Sequence, residues 1–159
     1  MSNLLTAEVT EKIKKSKRHT VIVTVGNSFR MDDGVGPYIF SKLESKGKLK
    51  IIDAGSTPEN IAEEVIGLKP SLVLFLDAAD FKGRPGEARV IDESQISESA
   101  LSTHAVPMYI VSGLIKAETN AEVCYIGIQA RNFGFGEGLS AEIKNTADEI
   151  VNEIIRVFL

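Results

Sequence analysis

The chain has 159 residues, about the size of one domain, and its 43% hydrophobic and 25% charged residues are ordinary for a globular protein. A net charge of −4 and the lack of a basic stripe disfavour a nucleic-acid-binding protein. No charge-free stretch reaches the roughly 20 residues that span a bilayer, and no secretory signal is recognisable. A single cysteine excludes an internal disulfide framework and suits a reducing compartment. We therefore expect a cytoplasmic protein that does not insert into a membrane.

A run of cations precedes the first predicted strand. We place these residues on a short N-terminal helix and expect them to form a solvated face; they are Lys12, Lys14, Lys15, Lys17 and Arg18. His19 follows the run and is expected to be a surface residue at the edge of the sheet where the first strand begins.

Strands and helices alternate through the first half of the chain. The predicted strands are Thr20–Val25, Leu49–Asp53 and Leu72–Asp77, and the predicted helices are about Val35–Glu44 and Pro58–Lys69. Thr57 is the expected N-cap of the second helix, with Pro58 at its first position. This alternation predicts a parallel sheet with helices on both faces. We find no repeat or linker and expect one domain over residues 1–159.

The fourth predicted strand, Glu87–Ile91, breaks the pattern. Only about nine residues separate it from Asp77, too few for a parallel crossover, so it should run antiparallel to the others. Residues 92–103 would then return the chain to the edge where the first three strands end. The remaining predicted elements are a helix from His104 to about Lys116, a fifth strand Val123–Gln129, a glycine-rich loop Asn132–Gly138, and a closing helix to about Val157 that Ser140 caps.

Three side chains with metal-binding chemistry converge in this topology. Ligands of open α/β sheets bind at the carboxyl ends of the strands where the winding direction switches, which here lies between strands one and three. Asp33 follows strand one, Asp77 ends strand three, and His104 reaches the same edge. Two carboxylates and an imidazole suit nickel, zinc, iron or manganese and leave coordination positions open for a substrate.

Each of these residues also has a purely structural explanation. Asp32 and Asp33 can cap the following helix, Asp77 can accept hydrogen bonds from loop amides, and His104 can be an ordinary loop histidine. Nucleotide binding is disfavoured because the loop Gly26–Gly36 is neither a GxGxxG fingerprint nor a P-loop, and its two carboxylates repel phosphate.

Two further residues that could take part in a site are predicted to be structural. Asp53 ends strand two, roughly 10 Å from Asp77 because two strand spacings separate them, so we expect it to be structural or to support the site from outside. Cys124 lies within strand five and is expected to be a buried structural thiol. There is no GxSxG nucleophile elbow.

From about Val21 onward the chain resembles the hydrogenase maturation endopeptidases. The resemblance is carried by the loop GN-x-x-x-x-DDG-x-G (Gly26–Gly36), the segment DAGSTPEN (Asp53–Asn60), LDAAD around Asp77, the pair Thr103-His104, and GIQ (Gly127–Gln129). It is most similar to the type that processes the large subunit of membrane-associated, hydrogen-evolving [NiFe] hydrogenases. Phe29 stands where the family often has Leu, and Ala130 where many members have Pro. We expect the loop Ala130–Gly138 to shape substrate choice.

The resemblance implies an activity and a fold. Such enzymes are aspartyl-type endopeptidases that remove a short C-terminal extension from a [NiFe] hydrogenase large-subunit precursor after nickel insertion. The implied fold is a phosphorylase/hydrolase-like three-layer α/β/α sandwich around a five-stranded mixed sheet, with strand order 2-1-3-5-4 and strand 4 antiparallel. This agrees with the connection-length argument above. A monomer is expected.

The resemblance also implies the site residues. The family's metal-contacting positions fall on Asp33, Asp77 and His104, which would be both catalytic and metal-contacting. The nickel would come with the substrate rather than being permanently bound. It would polarise the scissile carbonyl or activate water, or only dock and align the peptide. Asn27 and Asp32 would orient the ligands through hydrogen bonds.

Two rival functions use the same residues. A receiver-like phosphoacceptor domain would bind Mg²⁺ beside an acidic pair, but it needs a Lys at the end of strand five, where Gln129 stands. A non-proteolytic nickel carrier or docking protein would use Asp33, Asp77 and His104 without cleaving anything. Shortening of a nickel-loaded precursor separates the peptidase from the carrier.

Overall fold

The computed structural model describes residues 7–14, 18–92, 95–96 and 104–158. The strands are β1 (Thr20–Val25), β2 (Leu49–Gly55), β3 (Leu72–Ala79), β4 (Ala88–Ile91) and β5 (Glu122–Gln129). The α-helices are α1 (Ala7–Lys14), α2 (Val35–Lys42), α3 (Ala62–Gly67), α4 (Ala105–Glu118) and α5 (Ala141–Phe158). Short 3₁₀ helices at Met31–Gly34 and Pro58–Ile61 lead into α2 and α3.

The five strands form one mixed sheet in the order β2-β1-β3-β5-β4, which confirms the predicted topology. The first three strands and β5 are parallel, and β4 pairs antiparallel with β5, with Ala88 opposite Ile128. The antiparallel direction follows from the short β3–β4 connection, which cannot hold a crossover helix. The carboxyl ends of β1, β3 and β5 therefore lie at one edge of the sheet.

Helices cover both faces of the sheet and make the predicted three layers. Successive strand residues point to opposite faces, so Ile22 packs in one core while Val21 and Val23 pack in the other. The first core is closed by α1, α2 and α5, and the second by α3 and α4. All residues of β1 and β3 are buried, as expected for central parallel strands.

The observed elements differ from the predicted ones mainly at their ends. The bounds of β1 are as predicted, whereas β3 continues past Asp77 to Ala79 because β5 pairs with it as far as Gln129. The helix predicted at Pro58–Lys69 is a 3₁₀ turn followed by the shorter α3. The hydroxyl of Thr57 does not cap it and instead accepts a hydrogen bond from the Asn60 side-chain amide, at 3.2 Å. The predicted return segment 92–103 lies mostly outside the described residues.

The cations before β1 are not simply solvated. The Lys12 ammonium lies 2.7 Å from Glu122 Oε1, and the Arg18 guanidinium lies 2.9 Å from Glu122 Oε2, so both tie the N-terminal part of the chain to β5. Lys15 and Lys17 lie outside the described residues. Among the helices that the structure describes, we find none with the length and hydrophobicity needed to cross a bilayer.

Candidate active site

Asp33 is held in the turn between β1 and α2, and two glycines make that turn possible. Gly26 has φ +145°, and a Cβ there would lie 2.0 Å from the Asp33 carbonyl oxygen, so no side chain fits. A Cβ on Gly36 would lie 2.2 Å from the Val25 carbonyl oxygen, so the start of α2 packs directly on β1. The Asn27 amide donates hydrogen bonds to both the Asp33 carbonyl and Asp33 Oδ2, at 3.1 and 3.0 Å. The loop motif therefore fixes the position of one carboxylate.

Asp77 and His104 reach the same place from other elements. Asp77 lies near the carboxyl end of β3, in register with Gly127 of β5. His104 immediately precedes α4, and its carbonyl accepts the Met108 amide as the helix begins. Its imidazole does not cap the helix, and Nε2 lies 3.7 Å from Asp33 Oδ2. The structure thus brings Asp33, Asp77 and His104 together at this edge, as predicted.

The three side chains form a buried cluster. Asp33 is 1% exposed, Asp77 4% and His104 7%, and one ligand atom from each lies within 4.8 Å of the other two. Ligand atoms that share one ion at about 2.1 Å lie roughly 3–4 Å apart, so small side-chain movements would bring all three onto one metal. Among the described residues this is the one group of three or more such side chains that could hold a metal ion.

The local electrostatics favour a cation between these groups. Two carboxylates buried together are costly unless a positive charge or hydrogen bonds compensate them. Asp33 Oδ2 accepts the Asn27 amide, but Oδ1 is buried and finds no hydrogen-bond partner among the residues that the structure describes. The donor set and this buried oxygen therefore fit a divalent metal ion.

Burial by itself would lower the pKa of His104. The Asp33 carboxylate, 3.7 Å from Nε2, and the negative charge of Asp77 outweigh that effect, so the pKa of His104 lies above its ordinary value of 6.5. The positive charge of Arg30 opposes this rise. Arg30 is therefore a cation close to the cluster that the sequence analysis did not single out, although it stands only three positions before Asp33.

Asp32 does not point at the cluster. Its carboxylate is fully buried and accepts four hydrogen bonds, from the amides of Arg131, Asn132 and Ser140 and from the Ser140 hydroxyl, at 2.7–3.0 Å. It thus fastens the glycine-rich loop to the turn that carries Asp33. Ser140 precedes α5 as predicted and its carbonyl accepts the Lys144 amide, while its hydroxyl donates to Asp32.

Asn27 orients Asp33 through a hydrogen bond, as expected. Its side-chain Oδ1 accepts the Phe29 amide, while its backbone amide contacts Asp33. Of the pair expected to orient the ligands, Asn27 therefore acts through its backbone. Asp32 acts on a neighbouring loop.

Gln129, at the end of β5, fixes the loop after β3. Its Oε1 accepts the amides of Phe81 and Gly83, and its Nε2 donates to Asp80 and to the Ala130 carbonyl. All its hydrogen-bonding capacity is used inside the protein, which explains a buried amide at this edge. The hydrogen bonds from Gln129 to the loop after β3 were not predicted from the sequence.

Asp53 and Cys124 lie outside the cluster, as predicted. Asp53 is exposed and accepts hydrogen bonds from the Thr24 hydroxyl and the Gly55 amide. Cys124 is buried within β5, and burial raises the pKa of its thiol, which disfavours the nucleophilic thiolate. His19, before β1, is half-buried at the opposite edge, with Nδ1 3.3 Å from the Lys69 carbonyl.

Comparison with known proteins identifies relatives with this architecture. The sequence profile described as hydrogenase maturation protease matches residues 37–157, which include Asp77 and His104 and begin just after the loop that carries Asp33. The hydrogenase 3 maturation protease of Escherichia coli K12 is 35% identical over 137 residues, 84% of this chain and 87% of that protein. A putative hydrogenase maturation protease of Methanocaldococcus jannaschii is 32% identical over 157 residues, 92% of each chain.

A solved structure shares the fold over nearly the whole chain. The crystal structure of a [NiFe] hydrogenase maturation protease from Thermococcus kodakarensis has a TM-score of 0.83 and 29% identity, covering 96% of this chain and 99% of that one. The fold and the buried Asp–Asp–His cluster define a three-layer α/β/α enzyme with a candidate metal-contacting site. The chain belongs to the hydrogenase maturation protease family, a family of peptidases.

Proposed function

We propose that this protein removes the C-terminal extension of a [NiFe] hydrogenase large-subunit precursor, and that it recognises nickel already seated in the precursor through Asp33, Asp77 and His104. The observation that carries the proposal is the approach of these three buried side chains to within 4.8 Å, in a chain of the maturation protease family. Relatives are named as maturation proteases of hydrogenase 3 and of a [NiFe] hydrogenase.

The chemistry of the cluster supports a metal supplied by the substrate. Three protein ligands leave the remaining coordination positions of a nickel ion to the precursor. An ion held between two proteins fixes the peptide beside it, and this alignment contributes to rate by lowering the entropic cost of reaching the reactive geometry. A divalent ion at such a site also polarises a carbonyl or activates water.

The protein's own residues prepare the site before the substrate arrives. The Asn27 amide holds Asp33 Oδ2 at 3.0 Å, and the Asp33 carboxylate lies 3.7 Å from His104 Nε2. Rigid placement of this kind matters because small displacements of positioning groups cost large factors in rate.

A cleavage assay with matched variants tests the proposal. Nickel-loaded and nickel-free precursor are incubated with the wild-type protein, and mass spectrometry follows the precursor's C-terminus. We expect shortening of the nickel-loaded form only, its loss in His104→Ala, and its retention in the control His19→Ala. Binding of the precursor without shortening under every metal condition would favour the nickel carrier. Full activity in His104→Ala would remove His104 from the mechanism.

A further inference from the structure

Two exposed phenylalanines lie on the Asp33 turn and on the loop hydrogen-bonded to it. Phe29 is 64% exposed and Phe135 is 92% exposed. Phe29 belongs to the same turn as Asp33, and Phe135 belongs to the loop that Asp32 fastens to this turn. Large aromatic side chains held in water are costly, and clusters of them mark interaction surfaces.

The two segments that carry these residues are paired through the backbone. The Gly136 amide donates to the Phe29 carbonyl and the Met31 amide donates to the Gly136 carbonyl, both at 2.9 Å. Arg30 and Gly136 form a parallel bridge between them. Backbone hydrogen bonds therefore hold the two segments that carry Phe29 and Phe135 together. This order before any partner binds lowers the entropic cost of binding.

The same segments form the wall of a cavity. It has a volume of about 450 Å³ and lies between the Asp33 turn, the start of α2 and the residues that lead into α5. This is enough room for a large amino-acid side chain. Its lining includes Ser28, Met31, Pro37, Tyr38, Leu139 and Lys144.

Lys144 distinguishes this cavity from a general apolar patch. It is the one charged residue among the described residues that line the cavity, and the other lining side chains are apolar or neutral. An ammonium at an apolar cavity is complementary to an apolar side chain that has a carboxylate nearby. Glu137 lies on the adjoining segment but does not line the cavity.

We propose that Phe29, Phe135 and this cavity form the docking surface for a segment of the precursor polypeptide that carries a large apolar side chain next to a carboxylate. The apolar side chain enters the cavity, the carboxylate pairs with Lys144, and the two phenylalanines cover the chain on either side. The inference rests on the proposed function and adds the chemistry of the partner. The docking surface and the candidate site share one short turn, which carries Phe29 and Asp33.

The experiment uses purified nickel-loaded large-subunit precursor as the probe and measures KM and kcat for its shortening. The double variant Phe29→Ser/Phe135→Ser should raise KM about tenfold, because truncated aromatic anchors typically cost at least that factor, and kcat should change little. The control Ile155→Ser removes another exposed apolar side chain on α5, about 16 Å along the helix from Lys144, and should leave KM unchanged.

A charge test probes the carboxylate. Lys144→Glu should raise KM, Lys144→Arg should restore it, and the increase should shrink at high ionic strength because salt screens the pairing. Lys48→Glu, an exposed residue beside the start of β2, serves as the matched control.

The outcomes separate this inference from the proposed function. Normal shortening with an unchanged KM in the phenylalanine and Lys144 variants would overturn the docking surface and leave the peptidase intact. Binding of the precursor by the wild type without shortening would contradict the proposed peptidase function. The docking surface is then tested by comparing the Kd of the same variants for the precursor. No binding by the wild type would overturn both. Self-association of the wild type that the phenylalanine double variant abolishes would assign the surface to a second copy of this chain, against the proposal.

Discussion

The carboxylate of Asp32 offers a quantitative test of how the site is held together. It is fully buried and accepts three backbone amides and one hydroxyl, at 2.7–3.0 Å. In Asp32→Ala the amides of Arg131, Asn132 and Ser140 lose their acceptor. Each of these part-buried hydrogen bonds contributes about 1 kcal/mol, so the loss of the three costs about 3 kcal/mol.

A loss of this size is easily measured. For a chain of this length about 3 kcal/mol corresponds to a fall in Tm of roughly 6–12 °C. Urea denaturation gives the free energy of unfolding, and hydrogen exchange should show faster exchange over residues 131–140. The control Asp148→Ala removes one hydrogen bond, from the Tyr38 hydroxyl at 2.6 Å, and should cost only about 1 kcal/mol. A loss below about 1 kcal/mol in Asp32→Ala, with unchanged exchange in the loop, would refute this assignment.

Two further predictions concern ionisation. In Asp77→Asn the pKa of His104, followed by NMR of the imidazole, should fall because a negative charge that raises it is removed, while the signals of His19 stay unchanged. Pairing with Lys12 and Arg18 lowers the pKa of Glu122 from 4.5 to about 2, so its contribution to stability is present above pH 4.5 and is lost as the pH falls towards 2. At pH 7 the free energy of unfolding of the wild type should therefore exceed that of Glu122→Gln by at most about 1 kcal/mol, because the Glu122 side chain is half exposed. The difference should disappear as the pH falls below 2.

Each of these two predictions has an outcome that would contradict it. An unchanged or raised pKa of His104 in Asp77→Asn would mean that the carboxylate does not act on the imidazole. A stability difference for Glu122→Gln that persists unchanged to pH 2 would mean that ion pairing is not its source.

The parts of the fold that were predictable depend on local pattern and connection length. The six residues Thr20–Val25 are β-branched throughout, and the bounds of β1 were predicted without error. The antiparallel β4 followed from the short connection after β3. The cluster of Asp33, Asp77 and His104 was predictable because the carboxyl ends of parallel strands meet at one edge.

The parts that were not predictable depend on contacts between distant residues. Asp32 and Asp33 are identical in type and adjacent, yet one faces the cluster and the other faces a loop about a hundred residues away. Ser140 was predicted from its place before a helix, but nothing in the sequence showed that its hydroxyl would donate to the buried Asp32. The end of β3 depends on how far β5 runs beside it. Such contacts appear only when the chain is folded.

The most direct test of the account is whether the enzyme contacts the substrate's nickel. Nickel-edge X-ray absorption is recorded on nickel-loaded precursor alone and on rapidly frozen mixtures with wild type, His104→Ala or His19→Ala. The account predicts that wild type and His19→Ala add oxygen or nitrogen ligands at about 2.0–2.2 Å to the nickel, and that His104→Ala loses the nitrogen contribution. A nickel spectrum identical with and without the wild-type enzyme, in mixtures where the precursor is shortened, would contradict it.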